Sequence, residues 1–264
     1  MFGFPDSHRK DGFKHKKNLL RTAIFQLKYP KVETIRENHE KLERQLLSKF
    51  PNKKDLMRGE AKIRFEPSKT PILESASGAK NGFEFRTEDD KKIFRIAEEA
   101  FSYTVFGDVY MNFEETSKEL EGLLLPALET CGIDAVSWVS ARKINIMEPS
   151  VSDNFTSASL LNFAFNENII SHIMAFPNTT IVKSGVSQVT LKTADYRLNF
   201  SYGLLPKPPE VKMDKPQLIL DIDLISESQF QVKDVIPEWR KINQEMYNIF
   251  NWSISEQLKA SLDE

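Results

Sequence analysis

Cysteine is almost missing from this chain of 264 residues: Cys131 is the only one. No intrachain disulfide can form, which suits a reducing compartment, and a multi-cysteine zinc site is excluded. Histidine is scarce too. His8, His15, His39 and His172 are scattered without HxxxH or HxH spacing, so no metal and no other cofactor is expected. With ten glycines in the chain and neither GxxxxGK[ST] nor GxGxxG, a phosphate cradle of those types is excluded, and the GxSxG elbow is absent as well. No apolar run approaches the roughly 18 residues needed to cross a bilayer. The opening MFGFPDSHRKDG has no apolar core of signal-peptide length. A cytoplasmic protein that does not engage membranes is expected. The formal charge is only −2, so no global field draws the chain onto nucleic acid, and such binding would need a local patch.

What is present is a composition for folding. The apolar fraction of 40% can build a core and the charged fraction of 28% can cover it. Leu20 to Tyr29 alternates, with Ala23, Phe25, Leu27 and Tyr29 on one face, and reads as a strand ended by Pro30. Lys31 to Phe50 reads as one amphipathic helix. Glu60 to Glu66 reads as a strand, and 67–82 as a surface loop. A meander of short strands is expected at Phe83 to Thr87, Lys92 to Ala97 and Phe101 to Phe106. Asn112 to Cys131 is a second helix, with Pro126 expected to kink or shorten it. A strand at 136–147 follows, and 150–178 fits short helices or strands equally well. Val186 to Lys192 and Tyr196 to Leu204 read as a hairpin, 206–216 as a loop, Gln217 to Ile225 as a buried strand, and Ile236 to Leu262 as one long final helix.

The fold class this predicts is α+β: antiparallel meander sheets packed by long helices, with a long C-terminal helix. Residues 1–18 form a basic arm. Residues 19–149 and 150–264 form two halves of similar layout, either as two units or as one continuous domain; no residue-level repeat accompanies the likeness.

Charge and amide groups concentrate on the strand within Val136 to Pro149, where Arg142, Lys143 and Asn145 cluster. Alternation sends Arg142 to one face and the other two to the opposite face. Asp221 and Asp223 in LILDIDLI share a face, roughly 7 Å apart, and could bind a divalent cation or share a proton. An ion pair between Arg142 and one of these aspartates across neighbouring strands is the preferred reading, since it accounts for both groups without a ligand. Cys131, at a helix C-terminus, reads as structural. His172, among isoleucines, reads as a buried, hydrogen-bonded residue. On the final helix Trp239, Tyr247, Phe250 and Trp252 are candidate anchors for a partner. In the arm, Arg9, Lys10, Lys14, Lys16 and Lys17 are candidate phosphate contacts.

Several of these landmarks together resemble a sporadically distributed family of bacterial proteins of about this length, without assigned function. LLRTAIFQLKYP followed by a helix and FP resembles that family's start. SARKINIMEP resembles its strand signature of arginine, arginine-tyrosine and isoleucine-asparagine. Arg142, Ile144 and Asn145 match it, whereas Lys143 stands in place of an aromatic and the preceding glycine is missing. LILDIDL and the terminal NIFNWSISEQL also fit. The resemblance implies a cytosolic accessory protein of bacteria linked to phage conflict, and implies no reaction.

Three functions are therefore carried forward. The leading one is a non-enzymatic binding or assembly protein that docks a protein partner or a second copy of itself. The second is a metal-dependent hydrolase or nuclease-like enzyme using Asp221, Asp223 and Arg142. The third is a nucleic-acid binder working through the arm.

Overall fold

Alternation in Leu20–Lys28 (β1) buries Ala23, Phe25 and Leu27 completely on one face and leaves Thr22, Ile24 and Gln26 half-exposed on the other. That two-sidedness runs through the whole molecule. The structure is a computed structural model and describes residues 1–7, 18–58, 61–64, 72–75, 79–148, 156–174, 184–205 and 216–263.

After β1 come α1 (Thr34–Glu37), α2 (His39–Leu46), β2 (Asn52–Arg58) and a separate pair, β3 (Ala61–Arg64) with β4 (Ile72–Ser75). The meander β5 (Ala79–Arg86), β6 (Lys92–Ala97) and β7 (Ala100–Phe106) leads into α3 (Phe113–Thr130). Then follow β8 (Ala135–Val136), β9 (Trp138–Met147), α4 (Ser157–Ala164), α5 (Glu167–Met174), β10 (Gly185–Lys192), β11 (Tyr196–Leu204), β12 (Leu218–Ser226) and β13 (Phe230–Gln231). The long C-terminal helix α6 (Val235–Ser253) and a short α7 (Glu256–Asp263) close the chain. Nine strands form one antiparallel sheet in the order β10-β11-β12-β9-β1-β7-β6-β5-β2. The architecture is α+β. β9 bonds to β1 on one side and β12 on the other, so both halves of the chain share this sheet.

The core draws its sheet residues from the Phe25 face alone. Phe83, Phe94, Tyr103, Ala141, Leu220 and Phe200 mark it from strand to strand, and Leu42, Leu124, Leu161, Trp239, Ile242 and Ile249 meet them from the helices. Full burial of each large side chain contributes about 1.5–3 kcal/mol. The opposite, outer face is mostly polar in register: Lys192, Arg197, Ser140, Gln26, Ser102, Arg95, Glu84 and Lys54, with Ile225 the one apolar member, form one row across all nine strands.

Several elements differ from expectation. The helix expected over Lys31 to Phe50 breaks at Asn38, which leaves helical backbone (φ −90°, ψ 13°) while its backbone N–H and its side-chain amide both donate to the Thr34 carbonyl at 3.0 Å. The final helix ends at Ser253. Asn166 donates to the Trp252 carbonyl at 3.0 Å, Ile254 adopts extended backbone and bridges Phe165, and the Ser255 hydroxyl accepts from the Leu258 N–H to start α7. Pro126 does not break α3, because the carbonyl it leaves without a donor belongs to Gly122 on the exposed side. β2, and β4 inside the expected loop, are additional strands. Within 150–178, α4 and α5 are helices, α4 opened by a reciprocal Thr156–Ser159 capping box. The 206–216 loop falls almost wholly outside the described residues. Residues 1–7 of the expected arm lie against α6: the Phe2 N–H donates to Glu245 at 3.0 Å and the Ser7 N–H to Asn248 at 3.1 Å.

Candidate functional site

β9 is the hub of the candidate chemistry, because alternation points its polar residues to both faces of the sheet. On the outer face, Arg142 donates to Asp221 in a bidentate fork, Nε to Oδ1 at 2.9 Å and Nη2 to Oδ2 at 2.6 Å. The Asp221 side chain is 10% exposed and that of Arg142 44%, so the carboxylate is the buried partner. Asp223 lies directly opposite Arg142 in register but accepts from Asn199 at 3.0 Å, and Asn199 in turn accepts from Thr190 at 3.2 Å. Burial pushes the Asp223 carboxyl above the usual aspartate value and the Asp221 charge adds to this; the Asn199 bond and the Arg142 and Arg197 charges oppose it without cancelling it. The fork of Arg142 is thus engaged by a carboxylate of its own chain. Among the described residues, no cluster of three or more His, Cys, Asp or Glu side chains is placed to hold a metal ion.

On the helix face, Lys143 donates to Asn243 of α6 at 2.6 Å and sits over the Tyr110 ring, 5.4 Å from its centre. Asn145, only 6% exposed, donates to the Leu220 carbonyl at 3.1 Å. These residues line a cleft of about 450 Å³ that also takes in Tyr247 and Phe250. The structure therefore brings two of the four expected helix anchors together with two of the three polar residues of the β9 cluster. Asn243 and Asn199 are the members sequence reasoning missed. Asn243 sits inside the apolar stripe of α6, and Asn199 on the polar alternation of β11; each is a readable signal.

The other two anchors behave differently. Trp239 is 0% exposed, donates to the Ser140 carbonyl at 2.8 Å and meets Phe25 edge-on; its surface is spent inside the chain. Trp252 is half-buried and meets Phe4 edge-on at 5.1 Å. Together they border a hollow of about 380 Å³ against Ile169, Phe200, Tyr202, Val189 and Leu191. Arg9, Lys10, Lys14, Lys16 and Lys17 lie outside the described residues, as does the side chain of His172. Cys131 is buried, which pushes its thiol up to about 11, away from thiolate chemistry.

The hollow opens onto β10, an outer strand of the sheet. Val186, Val189 and Leu191 are 45%, 40% and 40% exposed, and the strand's only charge, Lys192, is paired with Glu227 at 2.8 Å. The other edge, β2, is of opposite character: Lys53 bonds Glu43, Asp55 bonds Lys80 at 2.8 Å, and Lys54 follows between them.

No protein-family model matches the sequence, and no curated protein matches it either. Among the described residues no helix is long and apolar enough to cross a membrane.

Proposed function

We propose that the protein is a non-enzymatic assembly module that joins a second copy of itself through the β10 edge. The observation that carries this reading is the contrast between the two sheet edges. Charged residues on an edge strand block pairing with another chain, whereas a long uncharged edge invites it. β2 has the first character and β10 the second.

The pattern on β10 is also complementary to itself. An antiparallel pair centred on Thr190 sets Val189 of each copy against Leu191 of the other, twice, and sets Gln188 against Lys192. The two lysines then stand four residues apart along the seam, roughly 13 Å, so like charges do not oppose. Both apolar pairs fall on the face of the hollow beside Trp252, which would continue from one copy into the next. The engaged fork of Arg142 favours this reading over a hydrolase built on Asp221 and Asp223. The lone buried Cys131 suits a reducing cytoplasm. The family resemblance would set such an assembly among bacterial accessory proteins linked to phage conflict.

Sedimentation equilibrium over the micromolar range tests the reading. A dimer is expected for the native chain and a monomer for Val189→Lys/Leu191→Lys, with both melting at similar temperatures. A native chain that stays monomeric, or a double variant that dimerises unchanged, would overturn it.

A further inference from the structure

The first seven residues are seated on α6 by their main chain and by an aromatic ring. The Phe2 N–H donates to Oε1 of Glu245 at 3.0 Å, and the Ser7 N–H to Oδ1 of Asn248 at 3.1 Å. Asn248 is only 6% exposed; Gln244 donates to the same oxygen at 3.2 Å, and the Asn248 N–H₂ donates to Glu245 at 3.4 Å. Glu245, Asn248 and Trp252 stand three and four residues apart, so one stripe of the helix presents them. Phe4 meets Trp252 edge-on at 5.1 Å. Phe2 and Phe4 are half-buried against the core, whereas Met1, Gly3, Pro5 and Asp6 are exposed. Gly3 bends the segment between the two rings at φ +74°, a conformation that suits glycine. This stripe of α6 thus reads a short segment through backbone N–H groups and a ring, as peptide receptors do.

We infer that this seat receives residues 1–7 of a second copy, so that paired chains exchange their first segments; the inference rests on the β10 pairing proposed above. Exchange gives up each contact within a copy and remakes it between copies, so it costs little. It also ties the pair together, because neither chain leaves without releasing both segments. The seat is placed for it. Phe4 and Trp252 border the same hollow as Val189 and Leu191 of β10. When β10 pairs with its counterpart, opposed residues lie about 4.5–5.5 Å apart, so the two hollows adjoin. Ten residues, 8–17, join the segment to Asn18, and a chain of that length reaches at most roughly 35 Å. Unpaired chains at micromolar concentration would keep their segments to themselves. A short tether presents a segment to its own seat at an effective concentration on the order of millimolar. Edge pairing brings the second seat comparably near and removes that handicap.

Mixing two full-length variants tests the exchange. Phe2→Ala/Phe4→Ala weakens the segment and keeps the seat; Glu245→Ala/Trp252→Ala weakens the seat and keeps the segment. Alone, neither variant can form a native segment–seat contact, within a copy or between copies. Mixed, the intact segment of one can occupy the intact seat of the other. Sedimentation equilibrium should show the mixture associating about tenfold or more tightly than either variant alone, with thermal melts verifying that both fold. A second measurement addresses the seat directly. A synthetic peptide of residues 1–7 should bind the Phe2→Ala/Phe4→Ala chain saturably in calorimetry, and the native chain about tenfold or more weakly, since its own segment competes. The same peptide carrying Phe4→Ala should lose that binding. A mixture no tighter than its components, no binding of the peptide, or equal binding of the Phe4→Ala peptide would overturn the exchange and leave the edge pairing standing. A native chain that stays monomeric while the mixture still associates would defeat the edge pairing and leave the exchange standing.

Discussion

The guanidinium of Arg142 does not bond the aspartate that faces it. Asp223 is its register partner across β9 and β12, yet the fork closes on Asp221, opposite Ile144. The diagonal choice settles the electrostatics of the outer face. The more buried of the two carboxylates receives the charge, and Asp223 is left to a neutral amide. Removing Arg142 strands a buried carboxylate, which costs far more than losing an exposed pair. Arg142→Met should lower stability by about 1–3 kcal/mol, between the values for surface and fully buried pairs. Replacing both partners, in Arg142→Met/Asp221→Leu, should recover much of that loss, since apolar groups need no partner. Urea denaturation midpoints of the three proteins measure this; equal losses in the single and double variants would contradict the account.

Asp223 should leave a signature in the pH dependence of stability. Its folded value is raised, chiefly by burial, above that of an unfolded aspartate. The folded state therefore takes up the proton first on acidification. The stability linked to this group is full below the unfolded value and is lost as pH rises through the folded one. Asp223→Asn removes the penalty, and its amide oxygen can still accept from Asn199. The variant should be more stable than the native chain at neutral pH, with the difference shrinking as pH falls toward the ordinary aspartate value. Melting temperatures of the two proteins along a pH series check the sign. A variant less stable than the native chain at neutral pH, with the deficit shrinking on acidification, would show that the charged form is the favoured one.

Trp239 holds α6 to the centre of the sheet. Its indole N–H is satisfied by the Ser140 carbonyl and its ring packs edge-on against Phe25, so truncation removes both a large apolar surface and a buried bond. Trp239→Ala should cost about 3–5 kcal/mol, and Trp239→Phe a smaller amount through the lost indole hydrogen bond and ring volume. Equilibrium unfolding in urea reads both. A loss below about 1 kcal/mol for the alanine variant would mean that α6 is held from elsewhere.

What was legible in the sequence followed periodicity. Strands such as β1 and β12 and the helix α3 have one strongly apolar face, and their limits could be read to within a residue or two. The breaks in the first and last helices were not legible, because apolar spacing continues through them. They come from Asn38 bonding back to Thr34 and from Asn166, distant in sequence, capping α6. β2 was hidden for the opposite reason: as a charged edge strand, NKKDLMR shows no alternation. The site divided in the same way. Alternation alone separated Arg142 from Lys143 and Asn145. That Lys143 and Asn145 meet Asn243, Tyr247 and Phe250 depended on how α6 crosses β9, which no local pattern records.

Gly203 links the fold to the proposed assembly. It sits in β11 at φ +142°, and a Cβ added there would lie 2.0 Å from the Gly185 carbonyl oxygen at the start of β10. Backbone atoms cannot yield to that contact as a flexible side chain could, so Gly203→Ala must push the beginning of β10 away from β11. The core should survive, since Gly203 projects to the outer face and the cleft and α6 lie on the other. The expected result is modest destabilisation, about 1–3 kcal/mol in keeping with strain at a special backbone position, together with faster amide exchange confined to β10. If copies pair through this edge, the same substitution should weaken the dimer in sedimentation experiments while cooperative unfolding of the chain persists. Loss of both together would show that the sheet had come apart as a whole; a dimer of native strength with a loosened β10 would place the contact between copies on another surface.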